Sequence, residues 1–150
     1  KISSLREIHK QFRNREVKKI YECIVHGKWP KDLKKIESNI DTKEINSERI
    51  AVQTKTGKKS LTKFTYLKHT DLYSHIIAIP ITGRTHQIRF HCSSLGFPIV
   101  GDQKYRLKKF VNPKSRMMLH AREINFFDNG EKVKVISRDN HGFGEDIEII

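Results

Sequence analysis

Apolar positions recur along this chain with two different periods. Near the start, Leu5, Ile8 and Phe12 fall at i, i+3 and i+7 with Arg6, Lys10 and Arg13 outside that stripe, the spacing of an amphipathic helix that Ser3 or Ser4 can cap. From Val17 the period becomes two. Val17, Lys19, Tyr21, Cys23 and Val25 then share one side of an extended segment, and Ile20, Ile24 and His26 the other. Both sides are partly apolar, so this strand is expected inside a sheet, ended by Gly27, with Trp29 as a packing plug before Pro30.

Residues 31–60 are lysine-rich and weakly periodic, with short strands expected at 33–40 and 49–54 and a turn at Thr56-Gly57-Lys58. This part is expected at the periphery. Two alternating runs, 61–69 and 72–79, are separated by Thr70-Asp71 and read as an antiparallel hairpin. A turn at Thr82-Gly83 follows, and helical spacing then begins. Thr85 is the expected N-cap, Gly96 the stop, and Pro98 forbids continuation, which brackets roughly three turns. After a turn-rich loop and a basic stretch containing Tyr105 and Phe110, residues 117–127 alternate as a strand. Asp128-Asn129-Gly130 turns that strand into another at 132–136. The last dozen residues, with Gly142 and Gly144, are expected to fray. The elements sum to one α+β domain, a mixed, mostly antiparallel sheet with flanking helices.

Thirty Lys and Arg stand against 17 Asp and Glu, a net charge of +13 with a pI near 9.9. A field of that sign concentrates phosphate-bearing partners, so nucleic acid is the first candidate. Cys23 and Cys92 form no Cys-x-x-Cys pair and suit a reducing compartment as free thiols. No apolar run approaches 18 residues and no secretory leader is visible, which predicts a soluble, cytoplasmic protein without membrane contact. The chain opens at Lys1 without an initiating Met, from which a missing N-terminal part is expected.

Metal and hydrolase chemistry find little support. His86, His91 and Cys92 contain the makings of a zinc site, but on a helix residues 86 and 91 are about 500° apart and share no face. There is no Gly-x-Ser-x-Gly and no Gly-rich phosphate loop, so neither a metal nor a nucleotide cofactor is expected. What remains is a basic surface with Tyr21 on a central strand and Arg84 and Arg89 near a helix start. A strand tyrosine is either core or a ring for a base to stack on. A half-buried arginine needs a carboxylate or a phosphate.

Lys19-Ile20-Tyr21 with Val25-His26-Gly27, then Thr82-Gly83-Arg84-Thr85-His86-Gln87-Ile88-Arg89 with His91, then Gly96-Phe97-Pro98-Ile99-Val100-Gly101-Asp102 with Tyr105, and Leu119-His120-Ala121 resemble the RluA-type pseudouridine synthases. The parallel runs from about Leu5 to Phe127. The resemblance implies isomerisation of uridine in RNA without a cofactor, in which the glycosidic bond breaks, the base turns and C5 is rejoined to the sugar around an essential aspartate. It implies that Tyr21 stacks on the flipped uracil and can take the C5 proton, that Arg89 pairs with the aspartate, and that Leu119 or Met118 walls the pocket. Arg84, His86 and His91 would hold backbone or the loop around the pocket, and Arg84, His86, Lys19 and Lys104 are the expected RNA contacts.

One departure matters. The family's His-Arg-Leu-Asp stretch is absent, and none of Asp32, Asp41, Asp71, Asp102, Asp128, Asp139 and Asp146 matches it; Asp102 matches the structural Gly-Asp after the helix. The expectation is therefore the C-terminal portion (1–150) of a pseudouridine synthase catalytic domain, monomeric, acting on ribosomal RNA when intact and inactive alone. The alternative is a non-catalytic RNA-binding module of the same fold.

Overall fold

The computed structural model describes residues 2–112, 116–137 and 143. The elements in chain order are α1 (Ile2–Asn14), β1 (Lys18–His26), β2 (Lys35–Ile45), β3 (Glu48–Gln53), β4 (Lys58–His69), β5 (Tyr73–Pro80), α2 (Gln87–Ser94), β6 (Leu119–Asp128) and β7 (Glu131–Ile136). The seven strands make one sheet in the order β3-β2-β4-β5-β1-β6-β7. Every pairing is antiparallel, so the sheet is more uniform than a mixed one. The α+β class stands.

β1 lies between β5 and β6, the interior place its two apolar sides predict. The expected hairpin is β4 and β5, with a register shift between Tyr66 and Lys68. Asn129 and Gly130, at φ 49° and 82°, turn β6 into β7. A second turn of the same left-handed kind, Asn46-Ser47 at φ 51° and 63°, joins β2 to β3 and carries β2 on to Ile45, well past the expected end at residue 40.

The main core gathers Cys23, Ile24 and Val25 of β1, Ile76 and Ala78 of β5 and Phe64 of β4, with Ile88 and Cys92 of α2 above them. Each fully buried isoleucine of this set contributes about 1.5–3 kcal/mol relative to exposure. Trp29 is the plug its position suggested: it is buried, its ring lies 4.8 Å from Phe64 and 5.4 Å from Phe97, and its backbone N–H donates to Ser74 Oγ at 2.9 Å. The segment 31–60 is more than periphery. Ile40 and Ala51 bury themselves against Tyr105 in a small core of their own.

α1 corrects the apolar stripe. The helix starts at Ile2, so Ser3 and Ser4 lie inside its first turn. It docks on β6 through Gln11, which is 1% exposed, while Leu5 and Phe12 remain 55% and 44% exposed. The reason is a pair of hydrogen bonds: Gln11 Nε2 donates to the Phe127 carbonyl and Gln11 Oε1 accepts the Phe127 N–H, each at 2.7 Å. Two backbone groups on β6 are satisfied at once by one amide, and this rotates the apolar stripe away from the sheet. Gly142 and Gly144 lie outside the described residues; Phe143 between them is buried against His75 and His120.

Candidate functional site

A cleft of about 360 Å³ opens where β1, β5 and β6 meet the loop into α2. It is lined by Lys19 and Tyr21 of β1, the 80–84 turn, His86, Gln87, Ile88 and Arg89 at the start of α2, and Met117 and Leu119 leading into β6. Three lining residues, Lys19, Arg84 and Arg89, are cationic, and none is Asp or Glu. The six sequence candidates Tyr21, Arg89, Leu119, Arg84, His86 and Lys19 thus converge from residues a hundred positions apart.

Two candidates do not. Met118 is 5% exposed and belongs to the core, its N–H donating to the Val100 carbonyl and its carbonyl accepting the Ile24 N–H. A tight turn, in which the Leu119 N–H donates to the Met117 carbonyl at 2.9 Å, leaves Met117 in the cleft beside Leu119 and Met118 out of it. Lys104 points elsewhere, with Nζ 2.9 Å from Glu48 and 3.4 Å from the Arg49 carbonyl, clamping β3.

Arg89 is held from behind. Its Nε and Nη2 donate to the two carboxylate oxygens of Asp102 at 2.7 and 2.8 Å, and its guanidinium lies 5.0 Å from the Tyr105 ring. The Asp102 side chain is fully buried, and its Oδ1 also accepts the N–H groups of Lys104 and Tyr105 at 2.9 and 3.0 Å. Burial alone would push this carboxyl up, but the Arg89 bonds and the backbone N–H groups outweigh it and hold Asp102 below the usual carboxylate range. Arg89 is correspondingly raised by its bonds to Asp102. Asp102 is therefore a buttress with both oxygens occupied, and it does not line the cleft. Its place depends on Gly101 at φ 79°, where any Cβ would sit 2.4 Å from the Arg116 carbonyl oxygen.

The start of α2 differs from the expected cap. Thr85 makes no cap; the N-cap is His86 in the left-handed region at φ 51°, and α2 is eight residues rather than three turns. Gln87, the first residue of α2, instead ties down the turn before the helix. Its Oε1 accepts from Thr82 Oγ1 at 2.5 Å and from the Arg84 N–H at 3.1 Å, while its Nε2 donates to the Leu61 carbonyl at 2.9 Å. A backbone N–H can only donate and a carbonyl can only accept, so the orientation of this amide is forced.

That constraint propagates. Gln87 Nε2 also donates to Thr62 Oγ1 at 3.0 Å, so the Thr62 hydroxyl hydrogen is free to go to His91 Nδ1 at 2.8 Å. His91 is then the Nε2–H tautomer and donates to Ser38 Oγ and Ser60 Oγ at 2.8 and 3.1 Å. Burial lowers the His91 pKa from 6.5 to about 4, and a protonated ring would leave Thr62 with no acceptor. No signal in the periodicity marks this relay, because its members come from β2, β4 and α2.

His86 is neutral as well, its pKa lowered by burial and then by the Arg89 and Lys104 charges. The Tyr105 hydroxyl accepts the Ala51 N–H at 2.7 Å, which directs its own hydrogen to His86 Nδ1 at 3.0 Å. His86 thus carries its hydrogen on Nε2 and is a donor there. Tyr21 is raised by burial and then by Cys23, so it rests as the phenol. Among the described residues none hydrogen-bonds its hydroxyl. His86, His91 and Cys92 have separate surroundings, and no metal-holding group of His, Cys, Asp and Glu occurs among the described residues.

Residues 2–94 match the family model described as RNA pseudouridylate synthase. The chain belongs to that family. It is 41% identical over 143 residues to ribosomal large subunit pseudouridine synthase C of Buchnera aphidicola subsp. Baizongia pistaciae, covering 91% of this chain and 45% of the relative. It is 37% identical over 123 residues to ribosomal large subunit pseudouridine synthase D of Borreliella burgdorferi, covering 82% of this chain and 38% of the relative. The chain thus spans under half the length of these relatives. Among solved structures, Human RNA Pseudouridylate Synthase Domain Containing 1 superposes with a TM-score of 0.74 at 29% identity, covering 89% of this chain and 59% of that one. Human RNA Pseudouridylate Synthase Domain Containing 4 shares the fold, with a TM-score of 0.71 at 20% identity over 95% of this chain and 67% of that one. The RluA-type resemblance of the sequence is borne out, and among the described residues no helix is long and apolar enough to cross a membrane.

Proposed function

We propose that the protein containing this chain is a pseudouridine synthase acting on ribosomal RNA, and that the cleft at Tyr21 and Arg89 receives the flipped uridine. The observation that carries this reading is the convergence of an unbonded tyrosine ring, a buttressed arginine, two apolar walls and two further cations in one acid-free cleft. Tyr21 stacks on the uracil. Leu119 and Met117 close the apolar side, and Lys19 and Arg84 take backbone phosphates. Extruding a base costs a few kcal/mol, which such phosphate contacts offset.

Arg89 lines the cleft, keeps Nη1 without a hydrogen bond to a described residue, and orients the reacting carboxylate by charge and direction. That carboxylate comes from the intact protein outside these 150 residues, a reading supported by the lack of an acid in the cleft among the described residues. The reaction breaks N1–C1′, forms C5–C1′ and removes the C5 proton. Of the lining groups, Arg89, Arg84 and Lys19 only donate, His86 presents N–H, and Thr82 and Gln87 are engaged; Tyr21 remains, and its oxygen takes that proton once the phenol has given its own to solvent, while N1, released from C1′, ends protonated. No cofactor is needed. The protein works in the cytoplasm, which its two buried free cysteines and the ribosomal relatives support, and is read as a monomer.

Pseudouridine formation on ribosomal RNA lacking modifications tests the reading. The intact protein converts uridine, the Arg89→Ala form does not while RNA affinity changes little, and these 150 residues alone bind without turnover. RNA binding by the intact protein with no conversion would establish the binding-module alternative.

A further inference from the structure

A second, larger cleft of about 520 Å³ lies beside the first and shares Thr82 with it. Its volume falls within the roughly 300–1,000 Å³ of ligand sites. The two are joined by Arg84, which lines the first and donates from Nε to the carbonyl of Lys59, a residue of the second, at 3.1 Å. Arg15 and Lys59 bring two exposed cations to this second cleft, with no ion pair to a described residue. Its acid, Glu37, is 2.9 Å from Lys35 and is held ionised by that lysine, so its charge is already matched.

The floor is built of hydroxyls whose directions are set by the relay from Gln87. Ser60 is 2% exposed and gives its hydrogen to the Ser38 carbonyl at 2.7 Å, while His91 Nε2–H supplies both serine oxygens. The Ser38 hydroxyl hydrogen is then the one without an obligatory acceptor. It rests on Ser60 Oγ at 3.0 Å or turns to an anionic oxygen in the cleft. Two cations above a hydroxyl donor make a site for a phosphodiester.

Resting on the RNA reading above, we propose that this cleft between β2, β4 and the α1–β1 junction holds the phosphodiester of a nucleotide neighbouring the flipped uridine, with Arg15 and Lys59 on its charge and Ser38 on an oxygen. Both cations are exposed on the rim, so their removal leaves the fold intact, and thermal unfolding checks this. In the intact protein, binding of a uridine-centred single-stranded RNA is measured against salt for wild type, Arg15→Ala/Lys59→Ala and Lys43→Ala, the last removing a cation at the far end of β2.

Loss of that one neutralised phosphate lowers the salt slope by about 0.7, the value per phosphate in single strands. The double variant should show that loss and about a ten-fold rise in KM with kcat unchanged, and Lys43→Ala should match wild type. A double variant with the wild-type slope and KM, or one no different from Lys43→Ala, overturns the subsite while leaving the synthase reading intact. A wild-type protein that neither binds RNA nor forms pseudouridine overturns both.

Discussion

Asp102 grips Arg89 through two hydrogen bonds of 2.7 and 2.8 Å from a fully buried position, so an arginine lining the cleft is aligned by an acid that never reaches it. The pair explains how a cation can stand half-buried at the site and still offer Nη1. It also makes Asp102 a positioning residue.

Replacing Asp102 with Asn should therefore cost about 3–5 kcal/mol at neutral pH, because Arg89 is left without its counter-charge. The pH dependence follows from the depressed carboxyl. Its contribution is present above the unfolded value of 3.8 and is lost as pH falls through the lower folded value. Urea unfolding should show the gap between wild type and Asp102→Asn closing below about pH 3.8; a gap independent of pH in that range would mean the pair is not ionic.

His91 gives the opposite kind of window. Its folded pKa of about 4 lies below the unfolded 6.5, so the unfolded chain takes up a proton that the folded ring refuses. Stability should fall as pH drops from about 6.5 to about 4, and His91→Gln should make that fall less steep while being less stable at pH 7. Nitrogen chemical shifts of the ring should report Nδ1 unprotonated at neutral pH. A protonated Nδ1 would break the relay deduced from Gln87.

Tyr21 separates stacking from proton transfer. Tyr21→Phe should keep RNA affinity and lose at least ten-fold in turnover, whereas Tyr21→Ala should weaken binding by the roughly 1–3 kcal/mol of a base–aromatic stack. Because burial raises the phenol, wild-type turnover should climb with pH above neutrality and the residual turnover of the Phe form should not. Full activity in the Phe form would remove the hydroxyl from the reaction.

At His86 the backbone itself is the test. Its φ of 51° suits Asn and His far better than a β-branched residue. His86→Val should lose about 1–3 kcal/mol more than His86→Asn, read as a larger drop in melting temperature. Equal losses would assign the cost to the missing Tyr105 bond alone.

The period-two runs on either side of Thr70-Asp71, the Asn129-Gly130 turn and the doubly apolar β1 were legible in the sequence because each is a local matter of side-chain alternation or left-handed φ. The residues shared with the RluA-type enzymes likewise marked Tyr21, Arg84, Arg89 and Leu119 before any coordinates. What the tertiary structure alone decided depends on partners far apart in the chain. Gln11 overrides the Leu5–Ile8–Phe12 stripe because the Phe127 N–H and carbonyl, 116 residues away, need partners. Met117 displaces Met118 from the cleft because Met118 is bonded between Val100 and Ile24. Lys104 leaves the site for Glu48. The proton order from Arg84 through Gln87, Thr62 and His91 to Ser38 exists only when β2, β4 and α2 are packed together, since a hydroxyl or imidazole acquires a direction only from the donor or acceptor opposite it.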